Sequence, residues 1–251
     1  MVGYVSGMRS PLPLAEAVAA EAVAFAGRLD TIDPAGRGTS TPCADWTIDD
    51  LADHVAVGMV RDAEAFHRAR FGVPSPPGEM MLGGADPALV VRAAVEHLLD
   101  AVIRGPQTWP TVPLPFGPYP VTAALQSLIV EFGVHRNDLE VATGQRIPPF
   151  SDATRTALFG FGEHYLLRQA APLEASACAF TLAAPSATLS ITWTGGRWVR
   201  GADAARECRI AGSDDAVARL MLRRLDITDP RIDLLDPHHL APLFPCAIRP
   251  L

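Results

Sequence analysis

Residues 128–144, LIVEFGVHRNDLEVATG, set Glu131, His135 and Asp138 at spacings of four and three inside an otherwise apolar run. Helical residues four apart differ by about 40° in direction and stack about 6 Å along the axis, so the three groups share a face. Leu128, Leu139 and Ala142 lie on it too, which turns that face toward a core. An unpaired carboxylate buried there costs several kcal/mol, so a partner is required. In WTIDDLADHV, His54 falls beside Leu51, Val55 and Gly58 and is likewise expected to point inward. An imidazole and a carboxylate from one helix, with a second imidazole from a neighbour, make a set that zinc accepts as three protein ligands while a fourth position stays open. His54, Glu131 and His135 are therefore the metal candidates. Asp138 is a candidate for holding a ligand, or an arginine facing the substrate, from behind. Nickel, cobalt or iron suits the same donors. The spacing by itself also fits a solvated Glu–His pair, and His54 by itself fits a hydrogen-bonded core histidine.

Helical segments must deliver these groups. The apolar positions of residues 13–29 follow a helical period. Thr47, with Asp50 three residues on, signals a helix starting at Ile48 and running to about Arg70, and Trp46 and Leu51 flank that start as a hydrophobic staple. Asp86 followed by Pro87 opens a third helix, and a fourth runs from about Val121 to Thr143 with Gly144 as terminator. A fifth, at about residues 152–169, bridges to the carboxy-terminal segment. Residues 105–120 read as a Pro-rich loop carrying Trp109, Phe116 and Tyr119, aromatics that suit a structural wall. After residue 176 the period changes to two. Strands are expected at 177–183, 187–193, 197–201 and 207–211, with a Gly-Gly turn between the second and third, then an amphipathic helix capped by Ser213.

Composition narrows the chemistry. The 251 residues carry a formal charge of −7 with dispersed basic residues, which leaves no footprint for nucleic acid or an anionic membrane. All 21 basic residues are arginine, so Schiff-base chemistry and a P-loop lysine are excluded. Cys43, Cys178, Cys208 and Cys246 lie far apart and read as free, mostly packing thiols. No run approaches the roughly 20 apolar residues of a membrane span, and the amino-terminal stretch does not read as a leader, so a cytoplasmic protein is expected.

The stretches STPCADWTIDDLADHVAVG, LPFGPYPVTAALQSLIVEFGVHRNDLEVATG and RIAGSDDAVARLMLRRL resemble, in order and separation, the mycothiol-dependent maleylpyruvate isomerase family. The resemblance covers nearly the whole chain. It implies a DinB-like four-helix bundle over residues 1–170 and a sterol-carrier-protein-like α+β domain over 171–251. It maps metal ligands onto His54, Glu131 and His135, the same three residues. It also implies that Arg224, near the end of the late helix, faces the cleft and holds a substrate carboxylate; a solvated helix-end cation is the other reading of that residue. The implied cofactors are zinc, or another divalent transition metal, and mycothiol. The thiolate would add to an electrophilic alkene, and rotation followed by elimination would isomerise a cis double bond, whereas stopping after addition would make the enzyme an S-transferase. Asn137 and Glu140 depart from the family pattern, in which a tryptophan and a small residue are usual. A hydrolase with metal-activated water, or a binding module without catalysis, remains open. The expected partners are a small electrophile and a low-molecular-weight thiol, with the chain a monomer or homodimer.

Overall fold

The computed structural model describes residues 10–249 except Ala44 and Gln107; the first nine residues of the stretch read against a leader lie outside the described residues. The chain divides between Ile147 and Pro148 into two compact units.

The first unit is a four-helix bundle. Helix α1 (Leu12–Asp30) buries Val18, Ala22, Phe25 and Leu29 of the stripe its periodicity predicts; Ala15 is buried as well, whereas Leu14, expected on that stripe, is only half-buried. Helix α2 (Ile48–Arg70) starts at a complete capping box: Thr47 accepts from the Asp50 amide, and the Asp50 carboxylate accepts from the Thr47 amide. Helix α3 (Pro87–Ile103) is capped by Asp86, whose side chain accepts from the Ala88 amide. Helix α4 (Val121–Ala142) is buried on most sides; Leu125, Ile129, Phe132, Val134 and Leu139 are all at most 1% exposed. It stops at Gly144, whose φ of +66° suits glycine. A carboxylate on α1 faces α4, where Glu21 forms an ion pair with Arg136 at 3.2 Å.

The Pro-rich stretch before α4 contains a hairpin that the composition hid. Strands β1 (Val112–Leu114) and β2 (Gly117–Tyr119) pair antiparallel, with Leu114 opposite Gly117, and β1 lies against α2. Prolines at 113, 115 and 118 argue against a strand by composition, yet Val112 and Leu114 are buried. Trp109 packs edge-on against Phe66 of α2, with ring centroids 6.0 Å apart.

The second unit is a five-stranded sheet with helices. Helix α5 (Asp152–Gln169) leads into β3 (Cys178–Ala184), β4 (Ala187–Trp193), β5 (Trp198–Arg200), β6 (Glu207–Gly212), α6 (Asp214–Met221) and β7 (Ile232–Leu235), and a last helical turn covers Phe244–Ala247. The strand order is β5-β4-β3-β6-β7, antiparallel except for the β3–β6 pair. Helix α5 packs on β4 so closely that a Cβ on Gly162 would meet the Leu189 side chain at 2.5 Å. That packing puts α5 with the sheet, and the division falls ahead of the helix, not near residue 170. Helix α6 is capped by Ser213 as expected but ends at Met221; Arg223 then takes a φ of +59°, and Arg224 lies in the turn beyond. Strand β7 had no alternating pattern to announce it. Among the described residues no helix is long and apolar enough to cross a membrane.

Candidate metal centre

Helix α4 supplies three of the site's groups on consecutive turns. Glu131 Oε1 lies 3.3 Å from His135 Nε2 and 3.1 Å from His54 Nε2 of α2. One ligand atom from each of the three residues falls within 4.8 Å of the others. Ligands about 2.0–2.1 Å from a tetrahedral zinc stand about 3.3 Å from one another, so these separations already match a shared ion. The contact between His135 Nε2 and Glu131 misses hydrogen-bond geometry, and Nε2 is buried with no hydrogen-bond partner. A buried nitrogen of that kind is costly unless something takes its lone pair. The donor set and the orphaned nitrogen both fit a divalent metal.

Exposure is graded across the cluster. His54 has 43% of its side chain exposed and Glu131 29%, whereas His135 and Asp138 have 3% and 1%. His54 therefore departs from the inward direction its helical neighbours predicted. Its Nε2 turns to Glu131 while the rest of the ring meets solvent and the face of Trp46, with centroids 4.6 Å apart. Thus the ring is shared between the two environments, because position 54 lies at the edge of the buried stripe formed by Leu51, Val55 and Met59.

Behind His135 lies a second contact set. The Nδ1 of His135 is 3.1 Å from Asp138 Oδ2, and the Cys43 thiol donates to the same oxygen at 3.4 Å. A carboxylate on the far nitrogen fixes the tautomer and orientation of a metal-binding imidazole. Electrostatics agree with the geometry. Desolvation opposes charge on His135, but Glu131, Asp138 and Cys43 outweigh it and hold its pKa well above 6.5. For Glu131, burial pushes upward, yet the two imidazoles outweigh it and hold the carboxyl well below the usual carboxylate range.

Cys43 is the residue that sequence reasoning assigned to packing alone. It sits in the segment before the Thr47 cap, and the only hint was its place in STPCADWTIDD. Asn137 turns away from the cluster to donate to the Gly133 carbonyl at 3.2 Å, and Glu140 accepts from Arg28 of α1 at 3.0 Å. The first of these bonds stays within α4, and the second ties α4 to α1. Arg224 belongs to the second unit, where its Nη1 donates to the Leu222 carbonyl at 3.3 Å.

Residues 18–140 match the profile of the mycothiol maleylpyruvate isomerase N-terminal domain, and the three metal candidates lie inside that match. The match covers just under half of the chain, so the amino-terminal unit is similar to that domain. Two uncharacterized proteins of Mycobacterium tuberculosis, one from each of two strains, are 33% identical over 122 residues, which is 49% of this chain and 63% of each relative. The match therefore spans less than two thirds of those relatives. The crystal structure of the mycothiol-dependent maleylpyruvate isomerase aligns with a TM-score of 0.59 at 17% identity, covering 89% of this chain and 91% of that one. A histidine-to-alanine mutant of that enzyme aligns at 0.61 and 18%. These two likenesses establish a shared fold: a helical bundle followed by a sheet-rich α+β domain, as the maleylpyruvate isomerase resemblance implies.

Proposed function

We propose that this chain is a member of the mycothiol maleylpyruvate isomerase family and a metal-dependent enzyme that uses a low-molecular-weight thiol, mycothiol, on a small electrophile bearing a carboxylate. The observation that carries the reading is the orphaned, buried Nε2 of His135, 3.3 Å from a carboxylate that also meets a second imidazole. His54, Glu131 and His135 would hold the ion. Zinc is the first choice, with other divalent transition metals suited to the same donors. When bound, such an ion supplies Lewis acidity that lets a thiol lose its proton near neutral pH.

The chain's own residues do the remaining work. Asp138 holds the His135 ring from behind, and Glu131 contributes the negative charge that offsets the cation. The exposed side of His54 and Glu131 leaves solvent access for an incoming thiol. Arg224 is proposed, from the family likeness alone, as the partner of the substrate carboxylate. Isomerisation of a cis double bond and S-transfer share the same first step, thiol addition, and differ in whether elimination follows.

Elemental analysis of the wild type and of His54→Ala, Glu131→Ala and His135→Ala tests the metal reading. Near-stoichiometric metal in the first and a large loss in each variant is expected. Assays with and without mycothiol on maleylpyruvate-like cis-alkenes test the chemistry. Turnover that ignores the thiol removes both the isomerase and the transferase readings and leaves a hydrolase.

A further inference from the structure

Immediately before α2, residues 40–43 and 45–47 bring side chains against both imidazoles. Ser40 and Thr47 make an isolated antiparallel bridge. The Thr41 amide donates to the Trp46 carbonyl at 2.8 Å, the Trp46 amide to the Cys43 carbonyl at 3.1 Å, and the Cys43 amide to the Thr41 hydroxyl at 3.2 Å. The capping box of α2 anchors the segment at its end. Trp46 is thereby laid on His54, and Cys43 is delivered behind His135.

A buried cysteine that only fills space meets apolar neighbours. Cys43, 6% exposed, instead brings its sulfur to 3.4 Å from Asp138 Oδ2 and 3.9 Å from His135 Nδ1. One carboxylate oxygen thus accepts from two donors, and two acceptors surround the one ring nitrogen. We propose that Cys43 is a positioning residue whose thiol, acting through Asp138, fixes the His135 ring with Nδ1 protonated and Nε2 presented to the metal ligands. The metal side of this inference rests on the assignment of His54, Glu131 and His135 above; the tautomer side does not. Cys43, His135 and Asp138 also satisfy the distances of a metal group in their own right. An ion there would strip Nδ1 of its proton and put a second cation on one buried imidazole, which the hydrogen-bonded triangle disfavours.

The test uses the full-length chain with Cys43→Ser, which keeps a donor, and Cys43→Ala, which does not. Cobalt(II) affinity is measured by competition with a chromophoric chelator, and the His135 tautomer of the metal-free protein by ring 15N shifts at a fixed alkaline pH. Alanine should weaken cobalt binding by about tenfold and serine by much less, in line with other residues that orient metal ligands. The wild type should show a protonated Nδ1, and serine should retain that pattern where alanine loses it. A space-filling role predicts the reverse order, because a hydroxyl is a poorer apolar filler than a methyl. Equal cobalt affinity and equal 15N patterns in both variants, a wild type with protonated Nε2 instead, or a second cobalt equivalent lost in the alanine variant would each overturn the proposal. If the wild type binds no cobalt, the metal reading fails and the 15N comparison alone decides the role of Cys43. If the alanine variant does not fold, the serine variant and the wild-type tautomer decide it.

Discussion

Replacing Asp138 by asparagine removes one charge from the most buried corner of the site and leaves its shape nearly intact. The carboxylate is 1% exposed and accepts from His135 Nδ1 at 3.1 Å and from the Cys43 thiol at 3.4 Å. A hydrogen bond to a charged group contributes about 1.5–3 kcal/mol against about 1 for a neutral one, so the substitution weakens the hold on the ring by about 1–2 kcal/mol. At about 1.4 kcal/mol per factor of ten, Asp138→Asn should bind cobalt(II) or zinc roughly 5- to 30-fold more weakly. The metal-free protein supplies a second readout. The raised pKa of His135 contributes stability that is fully present below its ordinary value of 6.5 and is lost as pH rises through the folded value. Asparagine removes part of that contribution, so its destabilisation in urea titrations should be larger near pH 6 than near pH 9. An affinity within twofold of the wild type, together with the same destabilisation at both pH values, would falsify the claim that Asp138 acts through the imidazole.

Thiol accessibility should be uneven: among the four cysteines only Cys246 is exposed, and burial, helped by Asp236 and Glu207, pushes the Cys208 thiol up to about 12. Native protein at mild alkaline pH should therefore label rapidly at one position by peptide mapping, and fast modification of Cys208 would contradict the buried strand placement. Gly162→Ala puts a Cβ 2.5 Å from Leu189 Cδ1 and 3.2 Å from Met221 Cε. Overpacking of about 1–3 kcal/mol should exceed the helix-propensity gain of about 1 kcal/mol, lowering the urea midpoint of the second unit; a rise instead would show that Leu189 yields freely. His164 has its pKa lowered by partial desolvation and by Arg200 and Arg168, with Arg200 Nη2 at 2.7 Å from its Nδ1. Its contribution is present above the unfolded value of 6.5 and is lost as pH falls below it, so His164→Asn should flatten the stability slope on the acid side, by a small amount at this solvated site. An unchanged slope would remove His164 from the account.

Much of the helical unit was legible because its signals are local. Asp86–Pro87, the Thr47–Asp50 box and Gly144 each mark an end through hydrogen bonds or dihedrals within a few residues, and α2 begins where they say. Glu131, His135 and Asp138 were legible as a set because helical spacing alone puts them on one face. Cys43 was not. Its role depends on a loop folding back across 95 residues of sequence to reach Asp138, and no local period records such a contact. The outward share of His54 was missed for a related reason: angular position tells which residues are neighbours on a helix, not how far the buried stripe extends. In the second unit, the early end of α6 follows from Arg223 taking a left-handed conformation that an arginine-rich helical pattern does not announce. The β1–β2 hairpin was concealed by prolines, which a two-stranded ribbon tolerates because each strand has a free edge.

Glu131, His135 and Asp138 all hang from α4, so their mutual placement is set by the pitch of one rod. Adding or deleting a single amino acid between positions 131 and 138 would swing the downstream groups by about 100° and scatter them around the rod, while hardly changing its appearance in a fold comparison. Chains of this architecture can therefore drift far in sequence and keep these three groups on one face, provided insertions and deletions stay out of that short interval. Counting its length is a quick way to sort relatives that keep this shared face from those that lose it.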